Sequence, residues 1–254
     1  KVVFLSQFQY LLINLSPQTS TESSDTIPAM TTPPSHPYPP AIIFDFGGVL
    51  LDWDPRYLYR KLFHGDEAAT ETFLAEIGFY EWNLLQDAGR PFAIAVDELC
   101  TRHPQRCDLI RAYHERYPES LGGAIHGTVD ILRRLWSAHF PLFALSNWSA
   151  EKFYLVRPKY EFFDWFQGII ISGEVGAIKP DPRIFQSLLD LIGRPAEECL
   201  LIDDSPRNIG AAQALGFQTI LFLNPAQLEN ELDRRGLLPR DLRSPGKISP
   251  AALA

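Results

Sequence analysis

Five short apolar runs, each about the length of a buried β-strand, constrain the fold of this chain more than any other feature. The runs are AIIFDF (41–46), PLFALS (141–146), GIIIS (168–172), CLLIDD (199–204) and QTILFL (218–223). Continuous apolar strands are typical of a parallel sheet that helices cover on both faces. Segments with helical spacing of apolar residues lie between the runs. The alternation therefore predicts an α/β fold with a doubly wound parallel sheet.

The predicted helices between these strands begin and end on characteristic residues. In DPRIFQSLLDLIG (181–193), Asp181 is placed to cap the first turn, a proline follows it, and Gly193 ends the pattern. SPRNIGAAQALG (205–216) repeats this order, with Ser205 as the cap and Gly216 as the stop. A further helix is predicted over TVDILRRLWSAH (128–139).

The interval from 53 to 122 breaks the alternation, because it contains no strand-like run. Four segments in it have helical patterns: PRYLYRKLF, DEAATETFLAEIG, PFAIAVDELCTRH and DLIRAYHERY. This is longer than a simple crossover needs. We therefore predict a Rossmann-like core formed by 41–52 and 123–240, and an inserted helical domain over 53–122 that lies above the strand ends.

The two ends of the chain differ in composition from the rest. SPQTSTESSDTIPAMTTPPSHPYPP (16–40) is rich in Ser, Thr and Pro, which predicts disorder over residues 1–40, and 241–254 is predicted to be a flexible tail. Residues 1–16 are partly apolar but too short to span a bilayer. They could be a signal peptide, although no clear cleavage site follows. Alternatively, Met30, the single methionine, is the natural start.

Charge and cysteine content narrow the functional class. A net charge of -8 at pH 7 argues against a nucleic-acid-binding protein, which usually presents a basic face. We expect a cytoplasmic enzyme without membrane contact, either a monomer or a homodimer. Cys100, Cys107 and Cys199 lack metal-ligand spacing, so they predict a reducing compartment and no disulfide. Each is interpreted as a small buried hydrophobic residue.

Polar side chains follow four of the five predicted strands. The carboxyl ends of parallel strands share one edge of a sheet, where ligands bind. Each residue alone could be a cap, a turn residue or a surface charge, but their recurrence in successive strand–helix units favours a common site. They are Asp45, Ser146 with Asn147, Lys179, and the pair Asp203 and Asp204.

The types of these residues indicate phosphoryl transfer. Carboxylates from two strands form an oxygen-rich site suited to Mg²⁺. Asp45 can bridge metal and substrate or attack as a nucleophile. Gly47 and Gly48 let the backbone approach a bound group closely. The hydroxyl, amide and ammonium groups supply the donors and positive charge that a transferring phosphoryl group needs.

Four segments resemble the ordered motifs of the haloacid dehalogenase superfamily of hydrolases. They are FDFGGVL (44–50), LSNWS (145–149), GAIKPDPRIF (176–185) and LLIDDSPRNIGAAQALGF (200–217). The resemblance spans residues 41 to 225 and implies a Rossmann-like sheet with an α-helical cap, which 53–122 would form. The chain looks most like the sugar-phosphate phosphatase branch, related to bacterial α-glucose-1-phosphate phosphatases and to the N-terminal domain of soluble epoxide hydrolases.

The resemblance implies a role for each matching residue in binding and attacking phosphate. Asp45 corresponds to the nucleophile that becomes an aspartyl phosphate. Ser146, with the backbone of Asn147, corresponds to the group that holds the phosphoryl oxygens, beside the close-approach glycine Gly48. Lys179 corresponds to the cation that neutralises the nucleophile and the phosphate.

The resemblance also implies a magnesium site. Asp204 would bind Mg²⁺ together with Asp45 and the backbone carbonyl of Gly47, and Asp203 would support the metal shell. Asn208 follows in the same motif, where a structural role on its helix is an equal alternative.

Gly47 departs from the family pattern, because most of its phosphatases carry a second Asp at this position. That acid protonates the leaving group, and such catalysis typically contributes ~10²–10⁴-fold. The chain could be a phosphatase without this acid, a metal-independent 2-haloacid dehalogenase, which needs no leaving-group proton, or a catalytically weak binding protein. The intact pair Asp203 and Asp204 favours the phosphatase. Asp52 or Asp54 could supply the proton, with a helix-start role as the alternative.

The inserted helices are expected to select the substrate, a small phosphate monoester such as a sugar phosphate. LLQDAGRPF (84–92) is interpreted as a polar loop in which Gln86, Asp87 and Arg90 are candidates for contacting sugar hydroxyls, with a solvated loop as the alternative. Trp53 and Trp82 could stack on a sugar, although aromatic residues in a helical domain are more often core.

Overall fold

The computed structural model describes residues 39–238, and its centre is a five-stranded parallel sheet. The strands lie in the order β5-β4-β1-β6-β7. All five apolar runs form these strands, so the predicted α/β fold is confirmed. Including a second, two-stranded sheet, the strands are β1 (Ala41–Phe44), β2 (Leu51–Trp53), β3 (Leu121–Ala124), β4 (Leu142–Ser146), β5 (Gly168–Ile171), β6 (Cys199–Asp203) and β7 (Gln218–Leu221).

Helices of the described residues fall into two groups. Five lie between β2 and β3, within residues 54–120, which we call the helical segment: α1 (Arg56–Leu62), α2 (Glu67–Glu76), α3 (Phe79–Asp87), α4 (Phe92–Arg102) and α5 (Cys107–Glu115). The others follow β3: α6 (His126–Ser137), α7 (Ala150–Val156), α8 (Ser172–Val175), α9 (Pro182–Ile192), α10 (Pro206–Ala214) and α11 (Pro225–Arg234).

Strand β1 shows why the sheet must be covered on both faces. Successive side chains of a strand point to opposite faces. Ile42 and Phe44 pack in one apolar cluster, with side chains of α6 and α11. Ala41 and Ile43 pack in a second cluster, with side chains of α9 and α10. Since each large apolar side chain buried in this way contributes about 1.5–3 kcal/mol, β1 is stable only between two layers of helices.

The predicted helix caps are present. The Asp181 carboxylate accepts a hydrogen bond from the backbone N–H of Arg183 at 2.9 Å, and α9 ends at Gly193, which has φ 69°. The Ser205 hydroxyl accepts a hydrogen bond from the backbone N–H of Asn208 at the start of α10. These caps fix where each helix begins after its strand, and therefore where the loops at the strand ends lie.

The prediction that 53–122 contains no strand is wrong at both ends of the interval. β2 and β3 pair antiparallel, with Leu51 opposite Ala124 and Asp52 opposite Gly123. These strands are short, and the two glycines of β3 have low β-propensity. The strands therefore have no local sequence pattern, and they form because residues far apart in the sequence pair with each other. The predicted bounds of the core and the inserted domain fall within this two-stranded sheet, and that division stays a prediction.

The interpretation of 84–92 as a loop is also wrong in its first half. Helix α3 continues to Asp87, and the turn begins at Ala88. Gln86 is fully buried in α3, where its Nε2 donates a hydrogen bond to the backbone carbonyl of Trp82 at 2.5 Å. The polar residues of this segment suggested a loop, because the sequence did not show that Gln86 is buried and hydrogen-bonded within the helix.

A disulfide bond joins Cys100 and Cys107, so the prediction that the chain has none is wrong. The short turn Pro104–Arg106 between α4 and α5 reverses the chain and brings the two Cα atoms to 4.6 Å. Cys199 is a free, buried cysteine, as expected. The number of cysteines therefore gives no support for a reducing compartment.

Several predictions concern residues at the ends of the chain. Apart from residues 39 and 40, the tails predicted over 1–40 and 241–254, and the alternative start at Met30, lie outside the described residues. Within 39–238, no helix is both long enough and apolar enough to cross a membrane.

Candidate active site

Asp45 lies directly after β1, at the edge where the carboxyl ends of the parallel strands meet. Its backbone N–H donates to the carbonyl of Ile202 at 2.9 Å, which holds it beside the end of β6. Oδ1 accepts a hydrogen bond from the backbone N–H of Phe46 at 2.7 Å, and Oδ2 lies 2.8 Å from Nζ of Lys179. Burial raises the pKa of Asp45 to about 7, against the opposing effect of the Lys179 charge.

Lys179 is fixed in place by three oxygen atoms. Its buried ammonium group contacts Asp45, donates to Asp203 Oδ2 at 2.6 Å and donates to the carbonyl of Leu145 at 2.8 Å. Burial lowers the pKa of Lys179, but the charges of Asp45 and Asp203 outweigh this, so the pKa is raised and the side chain stays protonated. The lysine therefore links the ends of β1, β4 and β6.

Asn208 stabilises Asp203 from the first turn of α10. Its Nδ2 lies 3.0 Å and 3.2 Å from the two carboxylate oxygens of Asp203, and Oδ1 of Asp203 also accepts the backbone N–H of Ser205 at 2.9 Å. With Lys179 on Oδ2, both oxygens of this fully buried carboxylate have partners. Of the two roles considered for Asn208, the contacts favour the structural one.

The loop after Asp45 packs directly against Asp204. Gly48 has φ 70°, a conformation that favours glycine, and a Cβ at this position would lie 2.2 Å from Oδ2 of Asp204. Gly47 has no positive φ, and a Cβ there would meet nothing within 4 Å. The two glycines therefore differ: Gly48 is required by its backbone and by its neighbour, whereas Gly47 borders open space.

The acidic residues of this edge fit a divalent cation. Asp45, Asp203 and Asp204 offer carboxylate oxygens within 4.8 Å of one another. Burial, and to a lesser extent the nearby charge of Asp203, raises the pKa of Asp204. Asp203 is fully buried and accepts four hydrogen bonds, whereas each oxygen of Asp45 has a single partner and Asp204 is exposed. Asp45 and Asp204 are therefore the better candidates for direct metal ligands, as Mg²⁺ prefers oxygen donors.

Ser146 ends β4 and Asn147 follows it, on the other side of Asp45 from β6. Ser146 is the buried last residue of the strand. The Asn147 side chain is engaged with the backbone of Lys179, because Oδ1 accepts its N–H at 2.7 Å and Nδ2 donates to its carbonyl at 3.0 Å. The Asn147 side chain thus positions the lysine.

A cavity lies between this edge of the sheet and the helical segment. It is lined by both polar and aromatic residues, as small-molecule sites usually are. The sheet side contributes Gly47, Ser146 and Asn147, and the helical segment contributes Asn83, Asp87 and Tyr117. The lining residues are Gly47, Leu51, Trp53, Asn83, Asp87, Tyr117, Leu121, Ser146, Asn147 and Trp148.

Two residues that the sequence suggested for substrate binding do not line this cavity. Oε1 of Gln86 accepts a hydrogen bond from Nε of Arg90 at 2.9 Å, and Arg90 also pairs with Glu98 at 2.7 Å. Asp87, named beside them, does line the cavity. Of the two tryptophans considered, Trp53 lines the cavity, whereas Trp82 is buried and donates to the Ala95 carbonyl.

Asp52 and Asp54 have partners near the start of α1. Asp52 accepts a hydrogen bond from the Tyr57 hydroxyl at 2.5 Å. Asp54 accepts the backbone N–H of Arg56 at 2.8 Å and also contacts its guanidinium group. Neither residue lines the cavity, and these contacts agree with the helix-start alternative.

Asn83 and Ser149 hold Asp87, and neither was predicted from the sequence as part of the site. Nδ2 of Asn83 donates to Oδ2 of Asp87 at 2.9 Å, and the backbone N–H of Ser149 donates to Oδ1 at 3.1 Å. Asn83 precedes Asp87 by one helical turn, so a helix drawn through both would have revealed this pair. The contact with Ser149 is tertiary and has no local signal.

Comparison with known proteins identifies relatives of most of the described region. The family model described as haloacid dehalogenase-like hydrolase matches residues 39–216. A drimenol cyclase of Aspergillus calidoustus is 26% identical over 195 residues, 76% of this chain but only 35% of its own length. A sesquiterpene phosphatase of Aspergillus oryzae is 28% identical over 182 residues, 69% of this chain and 86% of that protein.

Further similarities include a dehalogenase and a solved structure. An (S)-2-haloacid dehalogenase of a Pseudomonas species is 28% identical over 179 residues, 69% of this chain and 73% of the relative. A family enzyme of Bacteroides thetaiotaomicron, in complex with magnesium and inorganic phosphate, superposes with a TM-score of 0.56 at 24% identity, over 73% of this chain and 95% of that one. The latter shows the fold alone.

Proposed function

Because this chain belongs to the haloacid dehalogenase-like hydrolase family, we propose that it is a magnesium-dependent phosphatase of small phosphate monoesters, with sugar phosphates as substrates. The observation that carries the proposal is the contact of Asp45 with Lys179 beside the cluster of Asp45, Asp203 and Asp204. It combines a candidate nucleophile, a fixed positive charge and candidate oxygen ligands for a cation at one edge of the sheet.

In the proposed reaction, a carboxylate oxygen of Asp45 attacks the phosphorus atom and forms an aspartyl phosphate. The bond from phosphorus to the ester oxygen breaks, and that oxygen leaves with a proton as an alcohol. Water then attacks the phosphoryl group, which releases inorganic phosphate and restores Asp45. Lys179 holds the attacking carboxylate in place, and Ser146 with the backbone of Asn147 binds phosphoryl oxygens.

Magnesium would be held by Asp45, Asp204 and the backbone carbonyl of Gly47, with Asp203 supporting the site. The cation would offset the negative charge of the carboxylates and of the phosphoryl group. Two observations support this: the carboxylate oxygens lie within 4.8 Å of one another, and a relative of the same fold was solved with magnesium and inorganic phosphate.

We further propose that the helical segment acts as a cap that selects the substrate. It contributes Asn83, Asp87 and Tyr117 to the cavity that Gly47 and Ser146 also line. Hydrogen-bonding groups of this kind suit a small polar leaving group. Gln86 and Arg90 would act on the substrate only indirectly, since they bond to each other outside the cavity lining.

A metal-independent dehalogenase is the second candidate, because Gly47 supplies no acid and one relative is a 2-haloacid dehalogenase. Halide departure needs no proton, so that chemistry would tolerate Gly47. The buried Asp203 and the neighbouring Asp204 favour the phosphatase, since a halide displacement has no evident use for a second and a third carboxylate beside Asp45. A binding protein without turnover would not need the Asp45–Lys179 contact.

The proposal is tested by measuring phosphate release from a series of sugar phosphates, once with Mg²⁺ at millimolar concentration and once with excess EDTA. We expect turnover that requires Mg²⁺ and that Asp45→Asn abolishes, because an amide cannot serve as the attacking carboxylate. Asp97→Asn, the same change on the exposed face of α4, is the matched control and should keep wild-type turnover. Chloride release from chloroacetate in EDTA would instead support the dehalogenase.

A further inference from the structure

The cavity that Gly47 lines is also lined by a carboxyl group from the helical segment. Among the described residues that line it, Asp87 is the one with an acidic side chain. It lies at the last position of α3, in the helical segment, whereas Asp45 and Lys179 belong to the sheet edge. Asp87 is also absent from the site roles implied by the resemblance to the hydrolase family.

Three hydrogen bonds position Asp87, and one of them comes from the loop that follows Ser146. Its carboxylate accepts the backbone N–H of Ser149 at 3.1 Å and Nδ2 of Asn83 at 2.9 Å. Its backbone carbonyl accepts the hydroxyl of Ser172 at 2.5 Å. The Ser172 hydroxyl in turn accepts the backbone N–H of Trp148 at 2.9 Å, so the same loop is held from both sides.

The surroundings of Asp87 favour the neutral acid. Burial raises its pKa to about 8, against the hydrogen bonds from Ser149 and Asn83. The titratable groups that face it are the buried phenols of Tyr113 and Tyr117 from the helical segment. From α7, Nζ of Lys152 lies 5.8 Å from the Tyr117 ring centroid. Oε1 of the neighbouring Glu151 accepts a hydrogen bond from the backbone N–H of Phe92.

We propose that Asp87 donates the leaving-group proton for which Gly47 has no side chain. As Asp45 forms its bond to phosphorus and the ester P–O bond breaks, the carboxyl proton of Asp87 moves to the departing oxygen and yields the alcohol. The Asp87 carboxylate then accepts a proton from the water that attacks the aspartyl phosphate, which restores the acid. This inference rests on the proposed phosphatase function.

Asp87→Asn separates proton donation from a structural role. The amide can still accept the hydrogen bond from Ser149, but it cannot deliver a proton. p-Nitrophenyl phosphate has a leaving group that departs without a proton, whereas an alkyl phosphate needs one. We expect Asp87→Asn to lower kcat/KM on the alkyl phosphate by ~10²–10⁴-fold and on p-nitrophenyl phosphate by only a few-fold. Asp97→Asn is the control and should change neither value.

A pH profile of the wild-type enzyme tests the same inference without a substitution. Turnover of the alkyl phosphate should fall above about pH 8, where Asp87 loses its proton, and turnover of p-nitrophenyl phosphate should not fall there. The inference would be overturned if Asp87→Asn lost the same factor in kcat/KM on both substrates, or lost none. It would also be overturned if the wild-type activity fell equally with both substrates at alkaline pH. Each of these results would leave the proposed phosphatase function intact. If the wild-type enzyme released phosphate from neither substrate with Mg²⁺, the proposed function itself would fail and this inference with it.

Discussion

Gly48 occupies a position where one additional carbon atom has no room. A Cβ would lie 2.2 Å from Oδ2 of Asp204, and the φ of 70° is itself unfavourable for other residues. Asp204 is a proposed ligand of magnesium, so any residue larger than glycine must displace a candidate ligand. The close contact explains why a residue without a side chain follows the nucleophile strand at this point.

We expect Gly48→Ala to weaken Mg²⁺ affinity by ~10–100-fold, as other changes next to metal ligands do. Gly193→Ala is the matched control, because Gly193 has almost the same φ, 69°, and a Cβ there would meet nothing within 4 Å. Both variants should lose about 1–3 kcal/mol of unfolding free energy through backbone strain. Titration calorimetry with Mg²⁺ and urea unfolding measure the two effects. Equal Mg²⁺ affinities for the two variants would contradict the contact with Asp204.

At the residue scale, the sequence revealed the groups that follow strands and missed those held by tertiary contacts. Asp45 and Lys179 could be predicted because one follows an apolar run directly and the other lies in the turn before a capped helix. The engagement of the Asn147 side chain with the Lys179 backbone could not, because it joins residues on separate loops. Gln86 was misassigned for a different reason: its partners are local, but the polar residues around it suggested a loop rather than a helix.

At the element scale, helices α5 and α7 meet at a buried lysine. Nζ of Lys152 lies 2.8 Å from Nδ1 of His114 and donates to the His114 carbonyl at 2.8 Å. It also lies 4.4 Å from the centroid of the Phe92 ring. Burial lowers the pKa of Lys152 to about 8, and it also lowers the pKa of His114. This contact joins the helical segment to a helix that follows β4.

Stability should therefore depend on pH through Lys152. In the unfolded chain its pKa is about 10.4. Its pKa in the folded protein is about 8, so the folded state carries the full desolvation cost of the charged lysine below pH 8. This cost disappears as the pH rises from the folded pKa to the unfolded one. Between pH 7 and pH 10, the wild-type protein should gain about 2 kcal/mol of unfolding free energy relative to Lys152→Met.

Urea unfolding of both proteins at the two pH values provides the measurement. Lys159→Met, at an exposed lysine, is the control and should show no such change relative to the wild-type protein. A constant difference between wild type and Lys152→Met at pH 7 and pH 10 would show that Lys152 has an ordinary pKa in the fold.

Elements with strong local patterns were predicted, and elements defined by distant pairing were not. All strands of the parallel sheet are continuous apolar runs, and α9 and α10 have a cap and a terminal glycine. β2 and β3 have neither feature, since they are short and are separated by the whole helical segment. Their pairing is visible only after the chain has folded.

At the scale of the whole molecule, the acidic cluster should couple magnesium binding to stability. Unfolding separates Asp45 from Asp203 and Asp204, so the cation binds the folded state better. At a concentration 100 times its Kd, Mg²⁺ should add about 2.7 kcal/mol, and for a chain of this size that raises the Tm by roughly 5–10 °C. A thermal scan with and without Mg²⁺ measures this.

Asp204→Asn should reduce the magnesium-dependent rise in Tm, because the variant lacks one candidate ligand. Asp97→Asn should keep the full rise, since its side chain is exposed on α4. An equal rise in all three proteins would mean that Mg²⁺ acts elsewhere on the surface and would argue against the proposed site.

The order of the parallel sheet also bears on how the chain folds during synthesis. Among the described strands, β1 is made first and lies at the centre of the sheet, but its two neighbours, β4 and β6, end only at Ser146 and Asp203. At ~5–20 residues per second, a ribosome that has completed β1 needs roughly another 10–30 s to reach the end of β6. Throughout that time the apolar strand that carries the candidate nucleophile has an unpaired edge. Nascent chains of this protein should therefore need protection by a chaperone until the second half has emerged.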